Sequence, residues 1–393
     1  MSSGPLRVSI VGGGIGGLSA ANALRQRGME VTVFEQADAL GEVGAGVFMS
    51  PNSLRNLQRL GAGERLAVTI GKIAEGSQYY RMDGTVVGPI LTTDSFGNPV
   101  GAMHRADLLD ALAAGLPPEV VHTGHRCVGF EQTAESARLT FANGVTAESD
   151  VVIAADGIHS ALQKYVVEPS KPIHSGSLAY RGLIPREKAP EWKKEVSQLW
   201  MGDKKHFLVY PVRRGELINY VAFVPTTRET EESWSAIGDR DQLAAAFQGW
   251  DPAVVKLLDR VETCFWWGLY DRKPLATWTN GRLALLGDAA HAMLPHLGQG
   301  ANQSIEDGMA LAVFLQGLET QDVADALRRY ERFRRQRTDI VQAEARQNGH
   351  RYDSNYESLE QRDREIANSA QFRKWLYDYD VEKAALDYLH LGS

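Results

Sequence analysis

Gly12, Gly14 and Gly17 stand at G-x-G-x-x-G spacing directly after the apolar run Arg7–Val11. Such a turn serves a diphosphate. The first glycine allows the tight bend, the second lets backbone approach the pyrophosphate, and the third lets helix pack on strand. The phosphate charge then meets the free N–H groups of a helix N-terminus. Glu35 ends the next apolar run, Glu30–Phe34, where a carboxylate can accept bonds from ribose hydroxyls. Its negative charge does not suit a 2′-phosphate. A bare glycine turn is the plainer reading, but two strands, a helix and an acid in this order point to a dinucleotide.

Two later stretches also carry chemistry. Asp156-Gly157 follows the apolar run Val151–Ala155 and opens the text ADGIHS. By itself it reads equally well as a turn. Gly287-Asp288 follows Leu283–Leu286, and Gly298, Gln299 and Gly300 then open a helical pattern that runs through Ile305 and Glu306. A carboxylate at Asp288 suits a sugar-alcohol hydroxyl. The helix N-terminus offers positive partial charge, which suits the N1/O2 edge of a flavin. In His206–Val212 (HFLVYPV), strand alternation puts His206, Leu208 and Tyr210 on one face. Such a histidine is more often a packed residue than a base.

Around these residues the elements are legible. Leu18–Arg27 reads as a helix stopped by Gly28, Pro51 opens another through Leu54, Leu57 and Leu60, and His104–Leu116 a third. Arg126–Glu131 and Arg138–Phe141 read as neighbouring strands. From about Ser170 to Asp271 the chain is aromatic and strand-like. Phe207–Tyr210, Ile218–Val224 and Phe265–Leu269 are its clearest strands, and a helical insert spans about Asp241–Val261. Ile305–Leu315 and Asp322–Glu344 carry helical spacing. A charged helix near Glu357–Ala367 precedes the aromatic segment Trp375, Tyr377, Tyr379.

The expected architecture is mixed α/β: a Rossmann-like FAD-binding domain, an inserted β-sheet substrate domain and C-terminal helices. Residues 1–75, 101–170 and 271–355 form the discontinuous nucleotide domain, 76–100 and 171–270 the β-rich domain, and 356–393 a helical tail. The chain has 393 residues, 44% hydrophobic and 23% charged, enough for two or three domains. A net charge of −7 argues against general nucleic-acid binding. Cys127 and Cys264 lack metal-site spacing, and no apolar run reaches membrane length. The expectation is a cytoplasmic protein without metal, nucleic-acid or membrane partners, with a homodimer through the insertion or the C-terminal helices.

Taken together, VGGGIGG with Glu35, ADGIHS and LLGDAAHAMLPHLGQG resemble the three fingerprints of the single-component FAD-dependent aromatic hydroxylases, the p-hydroxybenzoate hydroxylase-like family. The resemblance covers essentially the whole chain. It is closest to salicylate hydroxylases, 3-hydroxybenzoate 6-hydroxylases and 6-hydroxynicotinate 3-monooxygenases. It implies that Gly12, Gly14, Gly16, Gly17, Glu35 and Gln36 hold the ADP half of FAD, with Arg105 near the phosphates and ribityl chain. Val128 would touch adenine through its backbone, and Asp156 would serve FAD and the approach of NADH or NADPH. Asp288 would bind the ribityl chain, Gly298, Gly300 and Ala301 would lie on the ring, and the Gly44–Val47 loop would pass it. The implied reaction uses NAD(P)H to reduce FAD. Oxygen then adds as a C4a-hydroperoxide, and an electron-rich ring, a phenolic or hydroxypyridine carboxylic acid, attacks its distal oxygen.

His206, Tyr210 and His296 are candidates for taking the phenol proton, with Pro295 beside the flavin. Phe48 replaces a histidine of the 6-hydroxynicotinate enzymes and implies a more apolar wall. Arg181 is a candidate for a substrate carboxylate or for an acid inside the insertion. His291 reads as structural, satisfying backbone groups, and Trp266, Trp267 and Trp278 as packing. Other readings are an FAD-dependent epoxidase of an olefin or isoprenoid, an NAD-dependent dehydrogenase, and a non-enzymatic nucleotide-binding regulator.

Overall fold

A computed structural model describes residues 4–41, 45–168, 171–227, 236–353 and 356–391. Gly44 lies outside the described residues. The opening run folds as expected. The strand Arg7–Val11 lies parallel to Glu30–Phe34 on one side and Val151–Ala154 on the other. Helix Ile15–Gln26 connects the first two strands. The six-stranded sheet continues outward through Leu283–Leu285 to Thr279–Asn280 on one edge and Val121–His122 on the other. Strands buried on both faces need unbroken apolar text, which VVIA at Val151–Ala154 supplies.

A second sheet of seven strands runs in the order Phe265–Asp271, Ile173–Pro185, Leu217–Pro225, Lys205–Val212, Gln198–Gly202, Gln78–Arg81, Val86–Pro89. Its central pairs are antiparallel, and Gln78–Arg81 joins parallel to Gln198–Gly202. Chain segments far apart in sequence thus share one sheet. Two small antiparallel sheets complete the β structure of the described residues. In one, Val100–His104 lies between Gly46–Met49 and Gly71–Ile73. In the other, Ala137–Phe141 lies between Cys127–Gln132 and Thr146–Ser149.

Three expectations change. Gly46–Met49 is a strand, not a loop. The helical insert is two short helices, Arg240–Ala246 and Pro252–Leu258. Gly249 at φ +81° breaks the run, and the Asp251 carboxylate caps the second helix at Ala253 N–H. The charged C-terminal segment and the aromatic one are a single helix, Leu359–Tyr377, followed by Val381–Leu391. These helices are packed rather than trailing. Arg337 of the 30-residue helix Val323–Tyr352 lies over the rings of Trp375 at 4.6 Å and Tyr379 at 3.8 Å.

Helix Gly300–Leu315 is buried along nearly its whole length against helix Ile15–Gln26. A Cβ on Gly308 would lie 2.8 Å from Ala20 N, so this glycine permits the close approach. Burying that helix brings Glu306 and Asp307 out of water. Arg334 compensates, with Nε donating to Asp307 at 2.7 Å and Nη1 to Glu306 at 2.8 Å. Arg337 adds a bond to Glu306 at 2.9 Å, and His291 Nε2 lies 2.6 Å from Asp307. His291 is structural as expected, but its partner is a carboxylate rather than a backbone group.

Candidate active site

The glycine turn is shaped by contact on one side and by space on the other. Gly12 has φ +110°, and a Cβ there would lie 2.3 Å from Ala155 O. A Cβ on Gly17 would lie 2.0 Å from Gly12 O, whereas Gly14 has nothing within 4 Å. Backbone can therefore approach a ligand at Gly14 while helix and strand stay tight. The Glu35 carboxylate accepts from Gly13 N–H at 2.6 Å and from Ala37 N–H at 2.8 Å. It is locked at the rim, and its remaining lone pairs can serve a ribose.

Gly12, Gly14 and Glu35 line a groove of about 740 Å³, together with Gly16, Gln36, Arg126, Asp156 and Asp288. Val128 is absent from the lining and its side chain is exposed, while its neighbours Arg126 and Cys127 border the groove. Asp156 Oδ2 accepts from Ala161 N–H at 2.8 Å, and its Oδ1 is buried without a partner. Burial pushes this carboxyl above its usual range. An orphaned acceptor beside a phosphate-ready turn fits a ligand hydroxyl or amine.

The groove opens into a second cavity of about 290 Å³. Arg105, Arg181, Asp288, Gly300 and Ala301 line both. Asp288 starts a short helix at the groove floor after Gly287, whose φ is +63°. Gly287 N–H donates to Asp307, so the buried ion cluster holds this turn. Gly298, in the left-handed region at φ +64°, packs on Phe48. Asn302 ties the two together by donating to Phe48 O at 2.9 Å and Gly298 O at 2.6 Å. Arg181 lies over the Trp267 ring at 4.9 Å, and burial beside Arg105 pushes its guanidinium down to about 10. Trp267 therefore borders the site, whereas Trp278 is packed on His291.

Beyond this junction the smaller cavity is walled by Val47, Phe48, Leu208, Val221, Phe223 and Pro295, with His206, Tyr210 and His296 among them. His206 stacks on Phe223 with centroids 4.1 Å apart and meets His296 edge-on at 5.1 Å. Its Nδ1 lies 2.8 Å from Asp353 Oδ1, and its Nε2 is buried without a partner. His296 Nδ1 is also buried without a partner. Burial, with His206 and His350 nearby, holds the His296 imidazole well below the usual range. Burial raises the Tyr210 phenol. That favours the protonated hydroxyl, a hydrogen-bond donor.

The groove with its glycine turn opens into a smaller chamber, and the chain has relatives over nearly its whole length. Residues 6–345 match the model of the FAD-binding domain family. The chain belongs to that family. It is 36% identical over 387 residues to 3-amino-4-hydroxybenzoate 2-monooxygenase of Streptomyces platensis, covering 95% of this chain and 96% of the relative. It is 34% identical over 421 residues to a salicylate hydroxylase of Pseudomonas putida, covering 99% and 97%. It superposes on a salicylate hydroxylase substrate complex with a TM-score of 0.86, 32% identity and 98% coverage of both chains.

The protein is a flavin-dependent aromatic hydroxylase with FAD as cofactor, and NAD(P)H is the typical co-substrate of such monooxygenases. The reading as an NAD-dependent dehydrogenase accounts only for the glycine turn and is set aside. In this hydroxylase the expected cofactor residues Gly12, Gly14, Gly16, Glu35, Gln36, Arg105, Asp156, Asp288, Gly300 and Ala301 gather on the groove, and Val47 and Gly298 on the chamber. Gly17 acts from behind, through packing.

Sequence reasoning missed Asp353, Tyr352, Tyr79, Asn219 and Arg373, all of which touch this site or its residues. Asn219 Oδ1 accepts from Gly46 N–H at 2.8 Å, and a Cβ on Gly46 would lie 2.6 Å from Tyr210. None of the five sits in a motif. No helix among the described residues is long and apolar enough to cross a membrane, and none of their His, Cys, Asp and Glu residues cluster as a metal site.

Proposed function

We propose that this hydroxylase inserts one oxygen atom of O2 into a phenolic or hydroxypyridine carboxylic acid. The observation that carries the reading is the small chamber beside the dinucleotide groove, in which His206, Tyr210 and His296 stand among apolar walls of Val47, Phe48, Leu208, Val221 and Phe223. At about 290 Å³ it lies at the small end of ligand cavities, the size of one substituted ring. Two of its relatives carry hydroxybenzoate-type substrates in their names. Bound FAD, reduced by NADH or NADPH, supplies the activation of oxygen. Gly12, Gly14, Glu35, Asp156 and Asp288 would hold it, with Gly298–Ala301 against its ring.

The chain's own residues would do the rest. Asp353 accepts from Nδ1–H of His206, which leaves the Nε2 lone pair to take the phenol proton. A phenolate ring is the better nucleophile. Tyr210, kept protonated, would donate to a ring substituent. His296, kept neutral, would not repel that proton transfer. Phe48, Leu208, Val221 and Phe223 exclude water.

A panel of hydroxybenzoates and hydroxypyridine carboxylates, scored for hydroxylated product per NAD(P)H consumed, tests the reading. At least one member should give product in near-stoichiometric yield. Turnover with alkenes and with no phenolic acid would replace it by epoxidation.

A further inference from the structure

The C-terminal helix Leu359–Tyr377 brings an arginine into the chamber wall. Arg373 is 6% exposed. Its Nη2 donates to the Tyr352 hydroxyl at 2.7 Å, and its Nε is buried without a hydrogen-bond partner. Among the described residues no carboxylate lies within ion-pair distance of it. Its polar neighbours are the phenols of Tyr79, Tyr352 and Tyr377. Burial raises the Tyr79 and Tyr377 phenols, so both are neutral near pH 7.

A buried guanidinium without a counter-charge is costly. Other buried arginines are answered by carboxylates or carbonyls: Arg334 faces Glu306 and Asp307, Arg337 faces Glu306, and Arg282 donates to the backbone oxygen of Asp150. Arg373 has phenols around it and an unpartnered Nε, and it lies at the ligand chamber. Arg181 sits differently. It lines the junction with the dinucleotide groove, beside Arg105. Arg373 lines the ring chamber and not the groove, next to the proposed base: the Tyr352 ring lies 5.2 Å from His206 and 6.2 Å from Tyr79.

We propose that Arg373, steadied by Tyr352, is the anchor for an anionic substituent, a carboxylate, on the aromatic substrate. The ligand supplies the counter-charge that the chain withholds. Anchoring there turns the phenol oxygen toward His206 and leaves Arg181 to the cofactor side. This rests on the reading that the chamber takes a substituted aromatic ring.

The test is a titration of the FAD-loaded enzyme, followed by perturbation of the flavin absorbance. The ligands are the hydroxybenzoate isomers and the matching hydroxybenzamides. The wild type should bind an acid about ten- to a hundredfold tighter than its amide, as hydrogen bonds to a charged group imply. Arg373→Met should remove that preference by weakening the acid, with the amide held within about threefold. Arg373→Lys should restore part of it. A wild type that binds rings without charge preference overturns the anchor alone. A preference that survives Arg373→Met and vanishes in Arg181→Met transfers the role to Arg181 and also overturns it. Failure of every aromatic ligand to bind removes the aromatic reading and the anchor together. Because the acid–amide comparison in the wild type decides by itself, a variant that does not fold leaves the proposal open to refutation.

Discussion

A histidine becomes a usable base when one ring nitrogen is committed and the other is not. In His206 the commitment is to Asp353, a residue with no motif around it. Asp353→Asn should therefore lower the rate of single-turnover hydroxylation about a hundredfold, with FAD affinity unchanged. His206→Ala should cost a similar factor, and the double variant no more than either alone, since the two act as one unit. Rapid-quench product yield and fluorescence titration of FAD separate the two effects. Asp288 is predicted to do the opposite. Asp288→Ala should weaken retention of FAD, read as flavin occupancy at limiting cofactor, before it touches the chemistry. His206 was visible from strand alternation, because period-two geometry is local. Asp353 was not, because it reaches His206 across 147 positions of sequence.

Among the elements, the pair of helices Gly300–Leu315 and Val323–Tyr352 bears the electrostatic cost of the fold. Arg334 answers both Glu306 and Asp307 with no exposed surface on any partner. Arg334→Leu strands two buried carboxylates and should lower unfolding free energy by about 3–5 kcal/mol in a guanidinium titration. Asp307 is held down to about 2 by His291 and Arg334, against the cost of burial. Its folded value lies below its unfolded one. Its share of stability, about 2 kcal/mol, is therefore present above roughly pH 4 and is lost as pH falls toward 2. Urea midpoints of the wild type should drop through that window more steeply than those of Asp307→Asn. The helices themselves were legible from spacing. Their ion cluster was not, because a charged helix reads as a solvated face until a partner covers it.

For the whole molecule, the cofactor groove gathers the first turn, the Asp156 turn, the Asp288 turn and Arg105, which are separate in sequence. A ligand that bridges them stabilises only the folded chain. FAD at about a thousandfold over its dissociation constant should add about 4 kcal/mol. Differential scanning should show the flavin-free protein melting several degrees lower, with much of that gap closed in Asp288→Ala.

By itself the sequence determined what local geometry carries. The glycine turn, the apolar strands, the late Gly287-Asp288 bend and the alternation of His206 with Tyr210 each follow from a few consecutive residues and the backbone they dictate. Tertiary structure decided the rest. Only the tertiary fold joins Gln78–Arg81 to the seven-stranded sheet, turns Val128 outward, sets Asp353 on His206 and brings Arg373 back from the last twenty or so residues to the chamber wall. Those contacts depend on how buried area and buried charge are balanced over the whole chain, and no short window of residues records that balance.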